Sequence, residues 1–274
     1  MAKITLNDVS VVYPMLGRGP KQPLMEGEPE GAGSFIRDTA DRGRGVMALS
    51  NVTLSMETGD RVGLIGRNGS GKSTLLRTIA GIYEPDSGRI TVEGAVAGLF
   101  NASLGIRAEA TGYRNIELSG LIAGYPREAI REILPKIAEF TELGDYLNYP
   151  VRTYSNGMAM RLKFACATAF HPDILLLDEW LGAGDPDFQK KAQARMVEMV
   201  EQAGIMILAS HNHNLIKETC DKVAWLERGE LRAYGPAGDV IAFAEGRQSI
   251  ADDYYYEEDC LELVSASSEA TRES

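Results

Sequence analysis

Residues 66–74 read GRNGSGKST and directly follow the apolar run 62–65. The stretch fits the pattern G-x-x-x-x-G-K-[ST], in which a buried strand ends in a glycine-rich turn that opens a helix. Glycines allow successive N–H groups to curl around anionic oxygens, and the helix N-terminus adds its positive end. We therefore expect residues 66–74, called the phosphate loop below, to bind nucleotide phosphates. The flanking strand and helix patterns disfavour the alternative, a glycine turn with an unrelated lysine.

Side chains of the phosphate loop have distinct expected roles. Lys72 reaches the β- and γ-phosphates, Ser73 ligates Mg²⁺, and Thr74 contacts the α-phosphate. The loop thus predicts a nucleotide bound together with Mg²⁺. The residues of this loop predicted to bind the nucleotide are Gly66, Asn68, Gly69, Ser70, Gly71, Lys72, Ser73 and Thr74.

The run ILLLDE at 174–179 supplies the carboxylates that such a site needs. Asp178 ends a buried strand pattern, and Glu179 follows it. We expect Asp178 to hold Mg²⁺ through water and Glu179 to polarise the attacking water as a general base. An acidic pair at a strand end is a weak signal alone, but downstream of a phosphate loop it predicts nucleotide hydrolysis.

The spacing of apolar residues predicts an α/β fold. Short β-rich runs at 173–179 and 204–210 flank a helical pattern at 188–202, which is typical of a parallel sheet with crossover helices. Between 112 and 170 helical periodicity dominates. One helical face there is formed by Ile130, Ile133, Leu134, Ile137 and Phe140. We therefore predict a helical lobe, at about 105–170, inserted into the α/β core.

Two segments have no clear periodicity. Strand patterns at 3–13 and 46–57 flank a segment rich in Gly, Pro and charge, at about 14–45. It is longer than the usual loop of a compact domain, so it is either disordered or functional. The segment 246–274 is acidic and serine-rich and contains DDYYYEEDC, which favours a solvated tail over an ordered dimer contact.

Composition limits the possible partners. The net charge of −11 argues against nucleic acid as the main partner, because phosphate neutralisation requires clustered Lys and Arg. The three cysteines, Cys166, Cys220 and Cys260, are far apart and fit reduced thiols better than disulfides or a zinc site. No apolar run approaches the roughly 20 residues that span a bilayer, so we expect no membrane crossing by this chain.

Residues 154–162, YSNGMAMRL, lie just before the acidic strand and resemble the signature motif of ABC ATPases. In that family, a serine and glycines at a helix start direct N–H groups at a γ-phosphate. Ser155 and Gly157 match the motif, whereas Asn156 and Met158 depart from the common form L-S-G-G-Q. The resemblance implies that residues 155–158, called the signature segment below, contact ATP held by a second copy of the chain.

Further residues match the family in its order along the chain. The resemblance identifies Asp185 in GAGDP as the D-loop aspartate and His211 in LASHN as the catalytic switch histidine. Asn101 in GLFNASLG stands where the family usually has glutamine, and its amide carbonyl can face Mg²⁺ or water. An aromatic residue near the end of the first strand stacks on adenine in this family. Tyr13 is the match, and Phe35 is its competitor.

The resemblance covers about residues 1–245 and implies the fold and the branch. It implies a P-loop NTPase, an ABC nucleotide-binding domain of α/β class with an antiparallel β subdomain and an inserted helical subdomain. The insert before MALSNVTL, the phrase SLGIRAEATGYRNIELSG, and PVRTYSNGM followed by DEW resemble one branch. That branch contains the ATP-binding subunits that export O-antigen, capsular polysaccharide and teichoic acid, and the O-antigen members look closest.

The resemblance also implies partners and location. A homodimer would sandwich two ATP molecules with Mg²⁺ and drive an integral membrane permease that translocates a lipid-linked glycan. The chain would be peripheral, on the cytoplasmic face of the inner membrane. A soluble ABC ATPase of DNA repair or translation is the alternative of another class, and other cargoes, namely teichoic acid, capsule or a drug, stay open. A GTPase is disfavoured because the sequence has no N-K-x-D motif.

Overall fold

The computed structural model describes residues 1–14, 35–39, 43–99, 106–170, 172–178 and 186–246. Most of the predicted insert, and the acidic tail from residue 247 onward with Cys260, lie outside these ranges. The chain divides into two units: unit 1 comprises 1–93 and 207–274, and unit 2 comprises 94–206.

Strands and helices alternate through much of the chain, as the α/β prediction requires. The strands are β1 (Lys3–Pro14), β2 (Phe35–Thr39), β3 (Gly43–Glu57), β4 (Arg61–Ile65), β5 (Ser87–Glu93), β6 (Val96–Leu99), β7 (Ile174–Asp178), β8 (Ile205–Ala209), β9 (Lys222–Glu227) and β10 (Glu230–Pro236). The helices are α1 (Lys72–Ile79), α2 (Gly112–Ile122), α3 (Arg127–Thr141), α4 (Asn156–Ala167), α5 (Pro186–Gln202), α6 (His213–Thr219) and α7 (Ala237–Ala244).

Unit 1 contains an antiparallel sheet of order β2-β3-β1-β5. Its central strand β1 alternates buried and exposed side chains, so that Leu6 is buried opposite Leu54 of β3 and Ile90 of β5. The implied antiparallel β subdomain is therefore present. Strand β2 lies inside the segment that was expected to be a loop, because FIRDT is too short to show a period and depends on pairing with β3.

Unit 1 also contains strands in the order β10-β9-β4, followed by residues 207–209 of β8. Strand β4 is buried and pairs in parallel with β9, in the register Leu64 to Ala224. Helix α6 approaches β4 closely because Gly63 has no side chain. A Cβ atom built on Gly63 would lie 2.5 Å from Ile216 Cγ2. The chain then leaves β4 through the phosphate loop and enters α1, as the sequence predicted.

Unit 2 contains the helical lobe and the parallel pair β6–β7, in the register Leu99 to Leu177. Strand β6 was not predicted, because four residues are too few to show a period. The predicted face of α3 is confirmed: Ile130 and Ile137 are buried, and the other three side chains are partly buried. The apolar cluster of this lobe contains Ile116, Ile137, Leu143, Leu147, Val151, Leu162, Ala165 and Cys166.

Two cysteines, Cys166 and Cys220, are buried. Burial raises the pKa of the Cys166 thiol to about 12 and that of Cys220 to about 11. Both are free thiols. None of the helices within the described ranges is long and apolar enough to cross a membrane.

Asn115 on α2 is a fully buried polar residue in unit 2. Its Oδ1 accepts from the Arg107 N–H at 2.7 Å, and its Nδ2 donates to the carbonyls of Arg107 and Thr111 at 3.0 and 2.9 Å. The segment so fixed pairs with the chain ahead of α4, where the Val151 N–H donates to the Ala110 carbonyl at 3.0 Å. One amide therefore orders the backbone that leads toward the signature segment.

We expect Asn115→Ala to lower the free energy of unfolding by about 3 kcal/mol, because it leaves several buried backbone groups without partners. Asn148→Ala is the matched control, since that amide is exposed and donates to the Asp145 carbonyl at 3.3 Å. It should cost less than about 0.5 kcal/mol. Urea unfolding followed by circular dichroism measures both, and equal losses would contradict the role given to Asn115.

Candidate nucleotide-binding site

Three glycines of the phosphate loop in unit 1 have backbone conformations with positive φ, which glycine adopts readily. Gly66, Gly69 and Gly71 have φ values of 144°, 77° and 107°. Cβ atoms built on Gly66 and Gly71 would lie 2.1 Å from the Leu226 carbonyl oxygen and 2.7 Å from that of Ala48. An L side chain is therefore excluded at both positions by φ and by space.

Lys72 is the first residue of α1 and is 8% exposed. Its Nζ donates to the Gly66 carbonyl at 2.6 Å and to the Arg67 carbonyl at 3.1 Å. The carbonyl groups of the phosphate loop itself thus hold the Lys72 ammonium group. A phosphate that binds there can replace these neutral acceptors with charged ones, which form stronger hydrogen bonds to an ammonium group.

Ser70 provides a test of whether the loop fits an anion. Within the described part of the chain its hydroxyl oxygen has no hydrogen-bond partner, and the residue is only 2% exposed. A buried hydroxyl without a partner costs about 1–3 kcal/mol. Next to it, Arg67, Asn68 and Gly69 are exposed. The loop therefore combines an unsatisfied polar group with an accessible backbone, which fits the phosphates of a nucleotide.

Tyr13 at the end of β1 is tied to the first turn of α1. Its hydroxyl lies 3.0 Å from Thr74 Oγ1, and its ring meets Tyr83 edge-on with centroids 5.5 Å apart. Burial raises the pKa of the Tyr13 hydroxyl. Tyr13 is thus partly buried beside the phosphate loop, and its stacking on adenine stays a prediction. The side chain of Phe35, its competitor, is outside the described part of the structure.

His211 is exposed in the turn between β8 and α6 of unit 1. The Ser210 N–H donates to the Leu64 carbonyl of β4 at 3.3 Å, and the Ser210 hydroxyl accepts from the Asn212 N–H at 3.1 Å. Asn212 in turn caps α6, because its Oδ1 accepts from the Asn214 and Leu215 N–H groups. The turn thus fixes the backbone on both sides of His211. His213, at the start of α6, has its Nδ1 2.8 Å from Glu245 Oε1.

In unit 2, Asp178 is the last residue of β7 and is partly buried. The other residues of β7 are buried. The residue before the strand, Asp173, is held by its carboxylate, which accepts from the Ala95 N–H at 2.8 Å. The carboxylate of Asp178 therefore stands where a buried strand reaches a more open environment. An oxygen ligand in that position suits Mg²⁺.

The signature segment of unit 2 forms the start of α4. Ser155 is the N-cap, and its hydroxyl accepts from the Met158 N–H at 3.2 Å. Ser155, Asn156 and Gly157 are all exposed. Because the first N–H groups of a helix have no intrahelical acceptor, this end offers donors and the positive end of the dipole to an anion.

Three predicted residues lie outside the described part of the structure, namely Asn101, Glu179 and Asp185. Their roles stay predictions. The structure describes the segment that follows Asn101 from Ile106 onward, and the Asn115 amide bonds to the Arg107 backbone.

Sequence reasoning missed residues that support the site. Gly229 donates its N–H to the Ser70 carbonyl at 3.0 Å, and Ser210 and Asn212 order the His211 turn. The Arg-Gly pair between two apolar runs could have predicted a β9–β10 hairpin, because a glycine supplies the positive φ that a two-residue turn needs. The residues around this turn in the sequence give no indication that it contacts the phosphate loop.

Comparison with known proteins agrees with this geometry. The ABC transporter family model matches residues 49–182. The chain is 47% identical over 196 residues to the O-antigen export system ATP-binding protein RfbE of Yersinia enterocolitica, covering 72% of this chain and 81% of that protein. It is 43% identical over 195 residues to the teichoic acids export ATP-binding protein TagH of Bacillus cereus, covering 71% of this chain. The chain spans 35% of the length of that TagH.

A solved structure described as the ATP binding subunit of an ABC transporter has the same fold. Its TM-score is 0.63 at 24% sequence identity, and the match covers 91% of this chain and 96% of that one. The predicted fold class is therefore confirmed.

We expect Lys72→Ala to weaken ATP binding by about 10- to 100-fold, because a charge-assisted contact is worth about 1.5–3 kcal/mol. Titration with a fluorescent ATP analogue measures the dissociation constant. Lys136→Ala, which removes an exposed ammonium group on α3, is the control and should bind like the unmodified chain. Unchanged affinity in Lys72→Ala would contradict the assignment of the phosphate loop.

Proposed function

The chain belongs to the ABC transporter family of ATP-binding proteins, and we propose on that premise that it is the ATPase subunit of a polysaccharide exporter. Its cargo is a lipid-linked glycan, with O-antigen as the first candidate. The observation that carries the proposal is the phosphate loop, found in a chain whose similar proteins are named for O-antigen and teichoic acid export.

ATP binding begins at the phosphate loop of unit 1. The N–H groups of residues 66–74 surround the phosphates, and Lys72 exchanges its bonds to the Gly66 and Arg67 carbonyls for bonds to the β- and γ-phosphates. The buried Ser70 hydroxyl is available as a further polar group. Tyr13, positioned through Thr74, stacks on adenine.

Hydrolysis requires a metal ion and a base. We expect that Ser73, Asp178 and Asn101 would hold Mg²⁺, which when bound would offset the charge that develops on the phosphate oxygens. Glu179 removes a proton from the attacking water, and His211 contacts the γ-phosphate from its capped turn. Asp185 is the proposed D-loop residue.

A homodimer completes each site. Ser155, Asn156, Gly157 and Met158 of one copy contact the γ-phosphate held by the other copy. The exposure of this helix start supports the proposal, because the first N–H groups of a helix have no intrahelical acceptor and can bind an anionic ligand. ATP then closes the dimer, and hydrolysis allows it to open.

The proposed partner is an integral membrane permease. The chain docks on its cytoplasmic side as a peripheral subunit at the inner membrane, through the helical lobe and the surface of residues 101–112. The acidic net charge disfavours nucleic acid as a partner.

Teichoic acid is the second candidate cargo, because the Bacillus cereus relative is named for its export. O-antigen comes first because the Yersinia enterocolitica relative is both more identical and better covered by this chain. A soluble ABC ATPase without a permease is disfavoured, since neither relative is named for such a role.

We expect Glu179→Gln to bind ATP without turnover and therefore to run as a dimer in size-exclusion chromatography with ATP. Adding Ser155→Arg should abolish this dimer, because bulk and charge enter the interface. Glu139→Arg, at an exposed site on α3, adds the same side chain as a control and should leave the dimer intact. Dimers that ignore both nucleotide and Ser155→Arg would overturn the sandwich.

The cargo is tested in cells that have no other exporter for the glycan. Glu179→Gln should leave glycan synthesis intact and stop translocation, so that glycolipid accumulates inside while surface polysaccharide disappears. Extraction of glycolipids and surface staining of intact cells measure the two effects. Normal surface polysaccharide would refute the export role while leaving the ATPase chemistry unaffected.

A further inference from the structure

The β9–β10 hairpin of unit 1 turns directly against the phosphate loop. Its two turn residues, Arg228 and Gly229, have φ values of 54° and 84°. The Gly229 N–H donates to the Ser70 carbonyl at 3.0 Å, and the Gly229 carbonyl accepts from the Ser50 N–H of β3 at 2.9 Å. One turn residue therefore connects the phosphate loop with the antiparallel sheet.

The packing around this turn leaves no space for a side chain. A Cβ atom built on Gly229 would lie 2.9 Å from the Ala48 carbonyl oxygen and 3.3 Å from Leu49 Cα. A Cβ atom built on Gly71 would lie 2.7 Å from the same Ala48 oxygen and 3.5 Å from Gly229 Cα. Gly71 and Gly229 thus pack side by side against one stretch of β3.

The bond from Gly229 has a directional effect on the phosphate loop. The Ser70 carbonyl and the Gly71 N–H belong to one planar trans peptide, so they point in opposite directions. When the hairpin holds the Ser70 carbonyl, the Gly71 N–H is turned away from the hairpin. This N–H is one of the donors that the glycine-rich pattern supplies for anionic oxygens.

We propose that Gly229 is a positioning residue for ATP binding, which aims the Gly71 N–H by holding the Ser70 carbonyl. Gly229 touches no nucleotide; it acts through the peptide between Ser70 and Gly71. The inference rests on the proposed function of the phosphate loop. The turn after β9 thereby takes part in phosphate recognition, although it is far from the phosphate loop in the sequence.

The test compares Gly229→Ala with Gly59→Ala. Gly59 also has a left-handed backbone, with φ of 107°, but a Cβ atom there meets no described atom within 4 Å. Alanine is strained in a left-handed backbone at either position, and at 229 its Cβ atom also collides with β3, so Gly229→Ala should lower the melting temperature more than Gly59→Ala does. Only Gly229→Ala moves the phosphate loop.

We expect Gly229→Ala to weaken binding of a fluorescent ATP analogue roughly tenfold, because the misdirected Gly71 N–H loses a hydrogen bond to a charged phosphate oxygen. Gly59→Ala should bind like the unmodified chain. Equal affinities of the two variants would overturn the inference. If the unmodified chain itself does not bind ATP, the proposed function fails instead, so the two failures are distinguishable.

Hydrogen exchange on the unmodified chain tests the proposal if Gly229→Ala does not fold. ADP with Mg²⁺ should slow exchange of the Gly229 and Ser50 N–H groups, because the ligand orders the loop to which the hairpin is bonded. The Gly59 region should exchange at the same rate with and without ADP. Nucleotide binding without added protection at Gly229 would refute the inference.

Discussion

The left-handed backbone of Gly66 is the constraint on which the rest of the site depends. Strand β4 is paired with β9 up to its last residue, Ile65. Directly after it, the Leu226 carbonyl of β9 occupies the space where a side chain at position 66 would lie. The chain can then turn at once into the phosphate loop and begin α1 at Lys72. The direction of the loop N–H groups and the placement of the lysine follow from that turn.

Local patterns predicted the parts of the fold that are determined locally. Strand β4, the phosphate loop and α1 follow from a dense motif, and α3 follows from five apolar residues at helical spacing. Strands β2 and β6 were missed, because they contain five and four residues and depend on partners distant in sequence. The Asn115 amide was missed for a related reason: its bonds are to backbone groups, whose positions no residue type reveals.

The sequence predicted which residues form the candidate site, but it did not predict the contacts that these residues make. The motif identifies Lys72, but only the structure shows its ammonium group bonded to the Gly66 and Arg67 carbonyls. The position of Tyr13 near the end of β1 follows from the strand pattern, whereas its bond to Thr74 joins residues far apart in sequence. Such contacts arise when strands and helices pack together, and hydrophobic periodicity carries no information about them.

Glycine serves two different purposes in this chain. Gly66 and Gly71 are required by their own surroundings, because any side chain would collide with backbone carbonyl groups. Gly157 has ordinary backbone, and a Cβ atom there would meet Ser155 Oγ at 4.0 Å and no closer described atom outside its own helix backbone. The described part of the subunit therefore leaves room for a Cβ atom at 157, and under the proposed dimer a requirement for glycine there would come from the ATP held by the other copy. In a library of substitutions at position 157, many residues should then be tolerated in a screen for expression, and few in a screen for growth that requires the transporter.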